Sequence, residues 1–412
     1  MFNHISMALS SLVLLSSLQA QAVLDLSQPA KHVISFGWDS PKLDEWEKSL
    51  PLLEQSPFEG FGVRLPDSVA GGRIFRIDQW QEVQETDKQA VLEMARKLPR
   101  SAKVSQNFLV LYGESTFRWS QDGEWKLVEE QLRFASRVAK AAGFRGILWD
   151  PEPYGKHKTW SFTEQSDKGT KDYFEYSKTL VQRGKRWIEV IQEEFPNVII
   201  LSLRQLSDFQ SGSPFSAKYF EMQDEKSRRE LLHWSYWGLH APFTVGILNG
   251  CRGNTVLHDG NEDAYYYTSA LEFYRIITQL RTLGRQMIPA ASRPAFDRHY
   301  KVGHAVSVDY TAGNWAEAIN FPNDLRQQAL QLSEQERAEW FEHNLYHALA
   351  SSDQFVWVYS EKPSFWKQTD VPPGFNVAFE LAVAKYRQGK PLGFSIEAKL
   401  EAARARIKAR GN

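Results

Sequence analysis

Short apolar runs alternate with longer amphipathic ones along most of this chain. Eight short runs read as buried strands: 32–39, 58–65, 104–112, 146–150, 197–204, 255–259, 304–309 and 355–360. Between them a 3.6-residue period predicts helices over 41–55, 87–98, 125–142 and 173–195, a long helical region up to 248, then 271–283, 333–351 and 375–388. Ser40 as N-cap and Pro41 at the first position open the first helix, and Gly143 closes the third. Strand runs separated by helices imply parallel βαβ units, and eight of them favour closure into a (β/α)8 TIM barrel over an open sheet. No Pro- or Gly-rich linker, short repeat or low-complexity tract divides the chain. The expected organisation is therefore one domain over 23–412, with extended βα loops at 155–172, 205–228 and 310–330. A charged C-terminal helical tail follows over 397–410.

Within several strands, one parity is small or polar and ends in a charge. Ser35 and Gly37 lead to Asp39, Gly62 to Arg64, Ser202 to Arg204, and Ala305 and Ser307 to Asp309. The other parity is large and apolar: Ile34 and Phe36, Phe61 and Val63, Ile199, Leu201 and Leu203, Val306 and Val308. Alternation along a strand predicts that the large set faces the helices and the small set fills the interior. The terminal charges then converge at the C-terminal mouth, where barrels of this kind carry their sites.

The fourth strand is the most telling, because the run 143–155 ends in Asp150 and Glu152 between two prolines. Gly146, Leu148, Asp150 and Glu152 share a parity, so both acids point inward at the strand end. Hydrolysis of a glycosidic bond needs a carboxylic acid to protonate the leaving oxygen. It also needs a second group to attack or stabilise an oxocarbenium-like centre. Further acids follow other strands: Asp259 and Glu262 after the sixth, Asp309 at the seventh, Glu361 after the eighth. Crowded carboxylates raise one another's pKa, which keeps one protonated near neutrality. Glu152 is the expected proton donor, Asp150 its tuning neighbour, and Glu262 or Asp309 the partner. Substrate contacts are expected from Asp39, Arg64, Tyr154, Arg204, Asp259, Tyr266, Trp315, Glu361 and Trp366. Trp38, Trp149, Trp160, Tyr265, Tyr310 and Tyr359 are further aromatics near this mouth, with Trp38 and Trp149 on the parity assigned to core packing.

Asp-Pro-Glu-Pro-Tyr at 150–154 resembles the Asp-x-Glu-Tyr ending of strand four in the chitinase-like glycoside hydrolases. The resemblance implies Glu152 as the acid and Asp150 as the residue that assists the substrate's own N-acetyl group. It spans about a dozen residues, and Leu148 stands where the fuller family pattern has another Asp. More broadly, the chain resembles a glycosidase-type (β/α)8 barrel with no specific family assigned.

Composition narrows the alternatives. With 49 basic and 50 acidic residues the formal net charge is −1, which offers no electrostatic attraction to nucleic acid or an anionic membrane. Aromatic residues make up 13%, with 14 Trp and 15 Tyr, the side chains that stack on sugar rings as well as fill cores. An apolar, Ser-rich stretch at 5–18 followed by Ala20-Gln21-Ala22 reads as a signal peptide over 1–22, cleaved after Ala22, for a periplasmic or secreted protein. No run is long enough for a membrane span. The single cysteine, Cys251, cannot form an internal disulfide. His343 and His347 have zinc-helix spacing, but Asn344 replaces the glutamate that chemistry requires. No dinucleotide loop, phosphate loop or nucleophile elbow occurs, so neither cofactor nor metal is expected, and no protein partner is indicated. The expected function is an exported glycoside hydrolase acting on a poly- or oligosaccharide. Its rivals are a non-catalytic carbohydrate-binding barrel and a polysaccharide lyase or metal-dependent deacetylase.

Overall fold

The computed structural model describes residues 30–154, 158–209, 218–219, 221–222, 224–313 and 323–410. The expected signal peptide, Trp315 and parts of the three expected loops lie outside them. Nine strands form one all-parallel sheet: β1 His32–Gly37, β2 Gly60–Val63, β3 Phe108–Tyr112, β4 Gly146–Asp150, β5 Ile199–Ser202, β6 Val256–Asp259, β7 Tyr300–Val302, β8 His304–Ser307 and β9 Phe355–Ser360. The order of neighbours is β7-β6-β5-β4-β3-β2-β1-β9-β8. Only Gly303 separates β7, paired with β6, from β8, paired with β9. One strand broken at a glycine thus closes a (β/α)8 barrel. A Cβ at Gly303 would stand 2.3 Å from the Phe355 carbonyl oxygen and 2.7 Å from His258 Cε1, so no side chain fits where the chain changes neighbours.

Among the described residues the main helices after the strands are α1 Trp46–Gln55, α2 Glu85–Lys97, α3 Asp122–Ala141, α4 Tyr173–Glu194, α5 His240–Gly250, α6 Ala270–Gln279, α7 Glu334–Ser351 and α8 Phe375–Arg387. Capping boxes open α4 (Asp172 with Glu175) and α7 (Ser333 with Glu336), and α3 ends before Gly143, whose φ is +66°. The first helix starts later than expected. Ser40 Oγ accepts from the Gly37 N–H at 3.1 Å, and Lys42 bridges to Arg64, which holds 40–42 extended. The long helical region breaks into a turn at Leu206–Phe209 and helices Glu225–Trp234 and α5. The C-terminal tail is a docked helix, Ile396–Arg410, with Ile396, Leu400 and Ala403 packed on Leu332 and Trp340. No helix among the described residues is long and apolar enough to cross a membrane.

The barrel interior corrects the parity expected for β1 and β5. Ile34, Phe36, Phe108, Val110, Leu148, Ile199, Leu201, Phe355 and Trp357 form the inner cluster. Phe61, Val63, Trp149, Val306 and Val308 face the helices. The expectation therefore fits β2, β4 and β8 and inverts at β1 and β5. The physical reason is volume sharing between neighbours. A Cβ at Gly62 would lie 2.8 Å from Phe36 Cδ2, 3.1 Å from Val110 Cγ2 and 3.3 Å from Leu148 Cδ1. Glycine on one strand makes the room that large side chains on adjacent strands fill, so a small residue marks the inward face only where its neighbours are large. Gly62→Val is expected to lower stability by about 1–3 kcal/mol through overpacking. Urea unfolding checks this, and an unchanged midpoint would contradict the shared-volume account.

Candidate active site

A cavity of ≈ 600 Å³ opens at the C-terminal ends of the strands. Asp150, the last residue of β4, lies at its floor, buried and inward with Leu148. Its Oδ1 accepts from the Glu152 N–H at 3.0 Å, and its Oδ2 accepts from the Tyr154 hydroxyl at 2.9 Å. Burial pushes the Asp150 carboxyl well above the usual carboxylate range, and the nearby Glu152 charge adds to the shift. Glu152 stands one step beyond, in the rigid Pro151-Glu152-Pro153 segment, with its side chain 29% exposed to the cavity.

Arg204, just past β5, organises the acidic wall. Its Nε lies 3.2 Å from Glu152 Oε1 and its Nη2 3.0 Å from Glu262 Oε1. Its Nη1 lies 3.0 Å from Asp208 and 3.6 Å from Asp263. One guanidinium thereby fixes carboxyl groups from the loops after β4 and β6 side by side, using the fork geometry that suits arginine to this task. Burial raises the Glu262 carboxyl to about 7, outweighing the attraction of Arg204, and the Glu152 charge pushes the same way. Glu262 Oε2 is buried without a hydrogen-bond partner among the described residues. A carboxyl raised to about 7 is about half protonated at neutrality.

The opposite side of the mouth is aromatic. Tyr310 donates to the Tyr266 hydroxyl at 2.9 Å, Tyr265 stacks on Tyr310 with centroids 5.9 Å apart, and the Trp38 indole donates to the Tyr359 hydroxyl at 2.9 Å. Trp38 is 65% exposed on the rim rather than packed in the core, because β1 ends at Gly37 and the chain turns outward there. Trp149 does pack in the core, 5.5 Å from Trp187, and Trp160 is buried beside His240.

The cavity brings together Asp150, Glu152, Glu262, Arg64, Tyr154, Arg204, Tyr266 and Glu361. Four others are elsewhere. Asp309 sits on the first turn of a short helix, Val308–Ala312, because Ser307 caps it and ends β8. It is buried outside the cavity lining, where its Oδ2 accepts the Glu361 N–H at 2.7 Å and burial raises its carboxyl to about 6. Asp259 is consumed by the Ser207 N–H at 2.9 Å, the Ser207 hydroxyl at 2.6 Å, the Asn261 N–H at 3.0 Å and the Tyr300 hydroxyl, a buried set that pins β6 to its neighbours. Asp39 and Trp366 meet outside the cavity lining, the Trp366 indole donating to the Asp39 carbonyl at 3.2 Å. Trp315 lies outside the described residues. His343, the zinc-helix candidate, is buried on α7 with Nδ1 2.9 Å from Asn344 Oδ1.

Sequence reasoning missed Tyr112, Glu114 and Arg73, all of which line the cavity. The signal for two of them was present. Tyr112 pairs in register with Asp150, so Tyr112 and Glu114 occupy on β3 the places that Asp150 and Glu152 occupy on β4. Arg73 comes from a turn in which Ala70, Gly71 and Gly72 all have positive φ, and nothing in the local pattern marks it.

No family model matches the sequence, and no curated protein matches it. Among solved structures, a broad-specificity endoglucanase of glycoside hydrolase family 5, subfamily 4, from an uncultured bacterium is similar at TM-score 0.44 and 9% identity, over 85% of this chain and 86% of that one. A glycoside hydrolase family 5 enzyme from Prevotella bryantii B14 is similar at TM-score 0.43 and 11% identity, over 88% of this chain and 97% of that one. At these identities no residue role passes from those proteins to this one. The chain itself is a (β/α)8 barrel by its own strand order and pairing.

Proposed function

We propose that this cavity hydrolyses glycosidic bonds in a poly- or oligosaccharide, with Glu152 and Glu262 as the working carboxyl pair. The observation that carries the reading is the Arg204 fork, which holds both acids at the cavity wall while burial lifts one of them to about 7. Two carboxyl groups in unlike environments, facing a hollow lined by tyrosines, are what acid-assisted glycoside cleavage requires. The burial of Glu262 makes it the proton donor in this reading. That reverses the role expected for Glu152 from the β4 motif, and Glu152 becomes the attacking or water-activating partner. Asp150, lower in the cavity, holds Glu152 through its backbone N–H and Tyr154 through its hydroxyl. Asp309 supports Glu361 from below instead of reacting.

Aryl glycosides and glycan oligosaccharides of varied composition test the reading, with product analysis by NMR for anomeric configuration. Hydrolysis is expected, with kcat/KM falling as pH rises through about 7, because the donor must keep its proton. A rate that climbs between pH 7 and 9 would remove Glu262 from the donor role. Products absorbing as unsaturated uronates would identify a lyase, and binding without turnover on every glycan would identify a binding barrel.

A further inference from the structure

The cavity is electrically two-sided. Its acidic wall, at the ends of β4 to β6, has its own cation in Arg204. Across the mouth, at β2 and the turn after it, stand Arg64 and Arg73. The acids there are already matched: Glu114 takes Arg73 at 3.1 Å and Arg76 at 2.6 Å, Asp78 takes Arg76 at 2.7 Å, and Asp67, which also feels the Arg64 charge, takes Lys42 at 2.7 Å. Arg64 is the surplus cation. Its Nε donates to the Ser40 carbonyl at 3.1 Å, which fixes the side chain, and no carboxylate among the described residues lies within ion-pair distance of it. Its two terminal nitrogens make no hydrogen bond among the described residues, which leaves a pre-oriented pair of donors in a cavity wall. Tyr112 marks the boundary between the walls. Burial pushes its hydroxyl up to about 12, the Asp150 charge adds to this, and Arg64 and Arg73 act against it. A partly buried cation without a counter-ion is costly, and a ligand anion is the group that relieves it.

We propose that the cavity takes an anionic saccharide, whose carboxylate or sulfate is received by the Arg64 guanidinium while Glu152 and Glu262 address the glycosidic bond. This rests on the glycosidase reading and names its substrate class. Arg64 then selects for charge, and the aromatic side accepts the sugar rings whatever their charge.

Calorimetric binding of matched oligosaccharide pairs tests it: an oligogalacturonate against its methyl ester, and a sulfated galactan oligosaccharide against its desulfated form. The wild-type protein is expected to bind a charged member at least tenfold more tightly than its neutral mate, with affinity falling as salt rises. Arg64→Met should weaken that binding by about tenfold to a hundredfold, the loss of one charge-assisted fork, and leave the neutral mate within about twofold. Arg64→Lys should fall between, and unchanged melting of both variants shows that the fold is intact. The pair that responds identifies carboxylate or sulfate. Equal binding of charged and neutral members, or an Arg64→Met variant that binds the charged sugar as well as wild type, overturns the proposal while leaving glycoside hydrolysis standing. Failure of every saccharide to bind or react overturns both.

Discussion

Glu262→Gln and Glu152→Gln are each expected to lower kcat/KM by about 10²–10⁴-fold while leaving saccharide binding in place. The amide keeps the size of the side chain and can still hydrogen-bond Arg204, but it can neither release a proton nor act as a base. The two variants should differ on activated substrates. An aryl glycoside with a strongly acidic leaving group needs little protonation, so it recovers much of the lost rate in the donor variant and none in the partner variant. If Glu262→Gln recovers and Glu152→Gln does not, the donor is Glu262. The opposite result restores the β4 acid to that role, and wild-type rates in both variants would dismiss the pair.

The same substitution has a stability signature that separates chemistry from misfolding. The Glu262 carboxyl is raised in the folded protein to about 7 from about 4.5 in the unfolded chain. Between those values the folded state binds more protons than the unfolded one, so stability falls as pH rises. The cost is absent below about pH 4.5 and complete above about pH 7. Glu262→Gln removes it, and Arg204 keeps Glu152, Asp208 and Asp263 as partners. The variant should therefore melt above wild type at pH 8, with the difference shrinking by pH 5. A protein that is less active and more stable is the mark of a residue kept for function at the expense of the fold.

Arg204→Met should destabilise the protein by about 3–5 kcal/mol at pH 8. Four carboxyl groups converge on this side chain: Glu152, Asp208, Glu262 and Asp263. Removing the cation leaves them facing one another in a poorly hydrated wall. Asp208 and Glu262, whose carboxyls burial already raises, then lose the Arg204 attraction that opposes the rise, so the missing stability returns as pH falls and they become neutral. Urea unfolding at pH 8 and pH 5 measures this, and an equal loss at both values would mean that packing, not charge, is what Arg204 supplies. Arg204→Lys should rescue only part, since one ammonium cannot span the same set of oxygens.

Much of this was legible in the chain. The spacing of apolar runs predicts eight βα units, and the strands at 146–150 and 355–360 match the structure at both ends. The acids after the fourth and sixth strands, and Arg64 and Arg204, were identifiable because a charge just past a buried strand has no packing role. Asp309 and Asp259 looked equivalent to Glu152 and Glu262 by the same rule and are not. Whether a charge at a strand end meets solvent or a hydrogen-bonding neighbour depends on atoms far away in sequence, such as Tyr300 for Asp259 and Glu361 for Asp309.

The sequence alone determined the period of the elements, the parallel topology and the rim that gathers the charges, because local hydrophobic alternation and the short reach of the connections dictate them. Tertiary structure alone decided which side chains fill the barrel, where a glycine on one strand yields its space to Phe36 or Leu148 on another. It also decided which carboxyls are lifted above the usual range, among them Asp150, Asp208 and Glu262. Burial and the convergence of four acids on Arg204 set that, and both are properties of residues that meet only when the sheet closes.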